Sequence, residues 1–157
     1  MKRKDFFQLL QPLTEKLYRM AYSIIPDDLQ AEQLVIDALN AYLIKEKKSI
    51  LAARDLETLT KKDIQVRRRF YFKGIIRYMG EIGLRRSVQL KLKKSTDFQS
   101  FYQLEPKVRL TLSLRYDFQF TAEEIEDITG MPRYEVIEKL HNGRYLLLND
   151  INHGVNA

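Results

Sequence analysis

The chain has 157 residues, 45% apolar and 31% charged, which is enough for one ordinary domain or two small ones. It has no cysteine and no apolar run long enough to cross a bilayer, so a disulfide scaffold, a thiolate metal site and membrane insertion are all excluded. The net charge of +6 is unevenly spread: residues 1–100 hold 21 Lys/Arg against 12 Asp/Glu, and residues 101–157 only 6 against 9.

The opening MKRKDFF is basic, but Gln8, Gln11, Pro12 and Glu15 interrupt the apolar residues after it, so it is no secretory signal and a cytoplasmic protein is expected. Leu10, Leu13, Leu17, Met20, Ala21 and Ile24 recur every three or four residues and predict a first amphipathic helix. Pro26 ends it, because the residue before a proline is pushed out of the helical region. Asp27 and Gln30 have the spacing to cap a second helix with Leu34, Val35, Ala38, Leu39, Tyr42 and Leu43 as its buried stripe. Its opposite face carries Gln33, Ile36, Asp37 and Asn40, a polar surface with one isoleucine that suits a protein partner. Residues 45–59 allow either a short helix or a loop.

Thr60 and Asp63 resemble another cap, and Phe72, Ile75, Ile76, Met79 and Ile82 make one apolar face beyond it. A helix is expected there despite Gly74, Gly80 and Gly83, each of which costs a helix interior about 0.5–1 kcal/mol relative to alanine. Close approach by another helix or a ligand backbone would explain them. The basic charge concentrates in residues 61–94, with 12 Lys/Arg against Asp63 and Glu81. Arg67, Arg68, Arg69, Lys73 and Arg77 alternate there with Phe70, Tyr71, Phe72 and Tyr78. Cations of this kind neutralise phosphates, and exposed rings stack on unpaired bases at about 1–3 kcal/mol each. The same residues also fit a solvated rim around core aromatics; Phe72 is assigned to the core, while Tyr71 and Tyr78 fit either role.

Residues 87–100 are polar and weakly periodic, the expected linker. Pro106 then opens a helix with Val108, Leu110, Leu112 and Leu114, apolar nearly all round as a central helix should be. Thr121 and Glu124 form a capping box for a helix with Ile125 and Ile128, which Gly130 stops. Pro132 suits the first turn of the next helix, which starts at Arg133 and carries Val136, Leu140 and Leu147 on one face. Helix, short turn with glycine, helix is the helix-turn-helix pattern, though a plain helical hairpin in a bundle shares it. The tail from Asn149 is expected to fray.

Three segments in order carry a family resemblance. LYRMAYSIIPDDLQAEQLVIDALNAYL (residues 17–43), FYFKGIIRYMGEIGLRR (70–86) and LEPKVRLTLSLRYDFQFTAEEIEDITGMPRYEVIEKLHNGRYLL (104–147) resemble bacterial sigma factors of the small, two-domain, extracytoplasmic-function type. The resemblance implies an all-α fold of two small helical domains: residues 1–86 for polymerase docking and the −10 element, a linker at 87–100, and a helix-turn-helix domain at 101–157 for the −35 element. By the same resemblance, Gln33, Ile36, Asp37 and Asn40 would face the clamp of core RNA polymerase. Arg77, Tyr78, Arg85 and Arg86 would face the −10 strand, joined by the basic cluster of Arg67, Arg68, Arg69, Tyr71 and Lys73. Arg133, Tyr134, Glu135, Ile137, Glu138, Lys139, His141 and Arg144 would lie on or beside the −35 face.

The chain departs from the family pattern at Gln33 and Ile36, at Tyr78 and Ile82, at Glu126, and at Ile137 and Glu138, and its segment 45–60 is longer than usual. Two readings are open. One is a sigma factor that binds core polymerase and opens a promoter, with no cofactor or metal of its own. The other is a sigma-like adaptor with weakened −35 contact, partnered by an anti-sigma factor or a DNA-bound helper. An enzyme such as a nuclease is disfavoured, because His141 and His153 are the only histidines and no carboxylate motif accompanies them.

Overall fold

The computed structural model describes residues 1–90 and 100–155, with side chains described for residues 1–90 and 101–149. Among the described residues the fold is all-α. Helices α1 (Arg3–Leu10), α2 (Thr14–Ile24), α3 (Asp28–Lys45), α4 (Lys47–Ala52) and α5 (Lys61–Gln89) make the N-terminal part; α6 (Ser100–Gln103), α7 (Pro106–Tyr116), α8 (Ala122–Thr129) and α9 (Arg133–Val155) make the C-terminal part.

The first predicted helix is divided. A 3₁₀ turn at Gln11–Leu13 carries Pro12, which has no N–H to give an α-helical ladder, so α1 and α2 are separate helices instead of one. Ile25, held extended before Pro26, ends α2 as expected. The Asp27 carboxylate then accepts the Gln30 N–H at 2.9 Å and starts α3. Its stripe is buried at Ala31, Leu34, Ala38 and Tyr42 and half-buried at Val35, Leu39 and Leu43. Residues 45–59 resolve into α4 and a 3₁₀ turn at Leu56–Thr58, with Ile50 in the core.

Helix α5 starts at a full capping box: the Asp63 N–H donates to the Thr60 hydroxyl, and the Thr60 N–H to the Asp63 carboxylate, both at 3.2 Å. At 29 residues it spans about 44 Å at 1.5 Å per residue. It continues through Gln89, past the residue 87 expected to begin the linker; residues 91–99 of that segment lie outside the described part. Two of its glycines mark close helix contacts. A Cβ at Gly74 would overlap the edge of the Tyr42 ring, and one at Gly83 would lie 2.9 Å from both Ile24 Cγ2 and Leu34 Cδ2. Only a bare Cα lets α2 and α3 come this near, which offsets the helix cost of glycine.

In the C-terminal part α7 is buried on every side, from Val108 through Leu114, with α8 and α9 packed around it. Thr121 and Glu124 form the predicted box, and Gly130 leaves α8 in the left-handed region at φ 71°. Pro132 stands just before α9 instead of within its first turn; its carbonyl accepts the N–H groups of Glu135 and Val136 at 3.0 and 3.2 Å. The expected fraying from Asn149 is not seen: α9 runs to Val155, with residues 156–157 outside the described part.

The two parts pack on one another along α2–α7 and α5–α8. Arg109, only 5% exposed, projects from α7 into the end of α2. Its Nε donates to the Ser23 carbonyl at 2.6 Å, one Nη to the Ile24 carbonyl at 2.9 Å, and the other Nη to the carbonyls of Leu104 and Tyr102. Ser23 and Ile24 offer orphan carbonyls of a helix C-terminus, which otherwise need water or a cap. Nothing in the sequence singled out Arg109 except that it is the one cation between Val108 and Leu114.

Candidate nucleic-acid and partner interfaces

The α3 face forms as the sequence implies, with one complication. Gln33, Ile36 and Asn40 are exposed, and Ile36 keeps 51% of its surface in water. Asp37 is half-buried: its carboxylate accepts from Gln33 Nε2 at 2.9 Å and pairs with Arg86 at 2.7 Å. Burial pushes its carboxyl upward, but the hydrogen bonds from Arg86 and Gln33 outweigh that and hold it below the usual range. A residue expected on the partner surface and one expected on the DNA strand are therefore bonded to each other. Beside this face, Phe7, Leu10, Leu17, Val35 and Leu39 line a groove of about 320 Å³, which the sequence pattern did not show because α1 was not foreseen.

The basic cluster of α5 divides by burial. Tyr71 is 3% exposed, its ring centroid 5.2 Å from Phe6 and 6.1 Å from Tyr42, so it is core and has no face free for a base. Tyr78 is half-buried, 6.0 Å from Tyr42. Phe72 is core, packed on Phe118 and Phe120 of the C-terminal part. Arg68 donates from Nε to the Leu9 carbonyl at 2.8 Å and so ties α5 to α1.

Arg69, Lys73, Arg77, Glu81 and Arg85 are spaced by four and form one ridge along α5. Arg77 and Arg85 are exposed, and among the described residues neither has a carboxylate within 4.0 Å. Arg69 and Lys73 are held instead by Glu124 at the start of α8, Arg69 at 3.1 Å. The same two cations lie over the Phe120 ring, at 4.8 and 5.7 Å from its centroid.

Burial raises the Glu124 carboxyl, but the bonds from Lys73 and the Thr121 N–H, with the Lys73 charge and Arg69, outweigh it and lower the pKa to about 2. A depressed folded-state value means the stabilisation is whole above the ordinary value of 4.5 and fades as pH falls toward 2. Acid unfolding followed by circular dichroism should therefore start at lower pH in Glu124→Gln relative to its own neutral stability, since the variant has no such proton to take up. Equal pH slopes between 4.5 and 2 would contradict the assignment.

At the head of α5 a cleft of about 390 Å³ opens between the 45–59 segment and the helix, lined by Arg54, Leu59, Val66, Arg67 and Phe70 together with the acid Asp63. Phe70 is 63% exposed, and one Nη of Arg67 is buried without a hydrogen-bond partner. Cations beside an exposed ring suit an unpaired base and its phosphate. The cation–aromatic interleaving pointed to this region; the contribution of Arg54 was not visible because it depends on how residues 45–59 fold.

On α9, Tyr134, Ile137, His141, Tyr145 and Leu148 stand three and four residues apart and share the outward face with Glu138. Tyr134 is 74% exposed, Tyr145 66% and Leu148 60%. The remaining candidates flank it: Arg133 pairs with Glu126 at 3.3 Å, Glu135 with Lys107 at 2.7 Å, Lys139 is half-buried, and Arg144 lies over the Tyr116 ring. Tyr145 and Leu148 were missing from the sequence-based set. No helix among the described residues is long and apolar enough to cross a membrane.

Against known proteins, no family model and no curated sequence matches this chain. Its fold is similar to that of the sigma factor RpoE in a co-crystal structure with the anti-sigma factor NepR from Bartonella quintana. The likeness has a TM-score of 0.58 at 21% identity and covers 95% of this chain and 98% of that one. The all-α, sigma-factor-like fold is thus shared over nearly the whole length.

Proposed function

We propose that the chain is a sigma-like factor for transcription initiation: α3 docks on core RNA polymerase, and α5 holds the opened −10 strand. The observation that carries this reading is the pair of exposed cations Arg77 and Arg85, with Glu81 between them, on the same helix that supplies Arg67 and Phe70 to the cleft beside Arg54. Phosphates fit the ridge and an unpaired base fits the cleft. The sigma-factor-like fold supports it. Catalysis belongs to the polymerase, and no cofactor is needed.

Reconstitution with core polymerase tests the docking face. Asp37→Arg places a cation where Gln33 and Arg86 now donate, and should weaken the complex by about tenfold while leaving helical content unchanged. Unaltered co-elution in gel filtration would rule out α3 as the docking helix.

The outward face of α9 favours weak −35 contact. Tyr134, Ile137, Tyr145 and Leu148 offer apolar contacts, Glu138 repels phosphate, and the cations at Arg133 and Arg144 are already engaged. The chain then relies on polymerase, or on a helper bound to DNA or to the chain, for effective concentration at the promoter. An anti-sigma factor is a fitting class of regulator, as in the co-crystal with NepR. Transcript start sites mapped on promoters with scrambled −35 sequences would separate the two forms of the proposal.

A further inference from the structure

We propose that the seam between α1 and α3 binds a fatty acid, with the carboxylate at Arg3 and Lys47 and the chain along Leu43, Leu39 and Val35. The site does not rest on the polymerase or strand readings.

Two cavities lie along this seam. The first, of about 380 Å³, is walled by Leu43, Ile44, Ile50 and Leu51, and its polar lining is Arg3, Lys47 and Asn40. No acid lines it; Asp5 and Glu46, the nearest acids in sequence, stand outside. The second is the groove of about 320 Å³ at Phe7, Leu39 and Val35. Arg3 and Phe7 are spaced by four on α1, as are Leu43, Leu39 and Val35 on α3, so both rows pass from one cavity to the next. Arg3 stands 5.7 Å from the centre of the Phe7 ring, at their junction. In the core, Phe6 stacked on Tyr42 at 6.2 Å joins the two helices.

Charge and apolar surface are segregated here as they are in an amphiphile. Both cations are at one end, while Phe7, Ile44 and Leu51 keep 41%, 75% and 60% of their surface in water. A bare phosphate would satisfy the cations and leave that wall wet. An acyl anion covers both. Between Ile44 and Val35 α3 rises about 14 Å at 1.5 Å per residue, roughly the reach of a chain of ten to twelve carbons. Asn40 also belongs to the α3 face proposed for polymerase, so the ligand's head would lie at the edge of that face.

The test titrates the full chain calorimetrically with octanoate, decanoate and laurate below their micelle concentrations. One site per chain is expected, with affinity rising about fourfold per added methylene. Arg3→Gln combined with Lys47→Gln should weaken laurate about tenfold. Lys16→Gln combined with Arg19→Gln makes the same change in net charge on α2, away from the cavity lining, and should have little effect. All four residues are exposed, so helical content should stay that of the parent. Val35→Trp fills the far end of the seam and should cost laurate affinity while sparing octanoate. If that variant fails to fold, the two charge pairs decide alone. Equal losses in the two charge pairs would overturn the site. So would equal binding of dodecyltrimethylammonium, which has the same tail under a cationic head. Sedimentation with phosphatidylglycerol vesicles in the absence of laurate binding would also overturn it, because the cations would then serve a membrane surface.

Discussion

Arg109→Met is expected to lower the unfolding free energy by about 3–5 kcal/mol. Among the described residues the guanidinium has no carboxylate partner; its favourable field comes from backbone carbonyls at the end of α2 and before α7. Burial lowers its pKa, a sign of the desolvation cost that methionine would remove. Against that gain stand the carbonyls of Ser23, Ile24 and Leu104, left without donors at about 1–3 kcal/mol each. Three such losses exceed one relief. Lysine should recover little, because one ammonium cannot reach across the fork that three nitrogens now span. Thermal denaturation is the direct measurement, with a fall on the order of 10 °C expected for a chain of this length. A melting temperature within about a degree of the parent would mean that water serves those carbonyls equally well.

Phe120→Ala should cost a comparable amount, about 3–5 kcal/mol, because a fully buried ring is lost. Its site differs in consequence. Phe120 comes directly after the turn at Gln119, whose φ of 56° aims the ring out of α7–α8 and onto Phe72 of α5. The cavity would therefore open between the two parts instead of inside either one. Urea unfolding should then show a reduced slope or two transitions, as each part begins to unfold alone. A single transition with an unchanged midpoint would show that Phe120 does not hold the parts together.

Local rules made much of this fold legible. Asp27, Thr60 and Thr121 each announced a helix start three residues ahead of an apolar face, and each cap is formed. The exposed set Gln33, Ile36 and Asn40 came from period alone, because the stripe opposite it was complete. What stayed hidden is long-range. Arg109 bonds to residues 85 and 86 positions away, and Glu124 pairs across 55 positions with Arg69, separations at which no pattern in the chain registers. Tyr71 was ambiguous for the same reason: its burial depends on Phe6, contributed by a helix whose short apolar run carried no clear period.

The bare α-carbons at Gly74 and Gly83 bear on how such a chain can drift over generations. The ring of Tyr42 already stands where a side chain at position 74 would go, so the two positions behave as one compound site: 74 can grow only if 42 shrinks. Position 83 is more restricted still, because Ile24 and Leu34, from different helices, would both have to yield. One flank of α5 is thus closed to single-step change. Its charged ridge, which touches no such neighbour at Arg77 or Arg85, remains open to it, so a lineage could alter what this helix binds without disturbing how it is held.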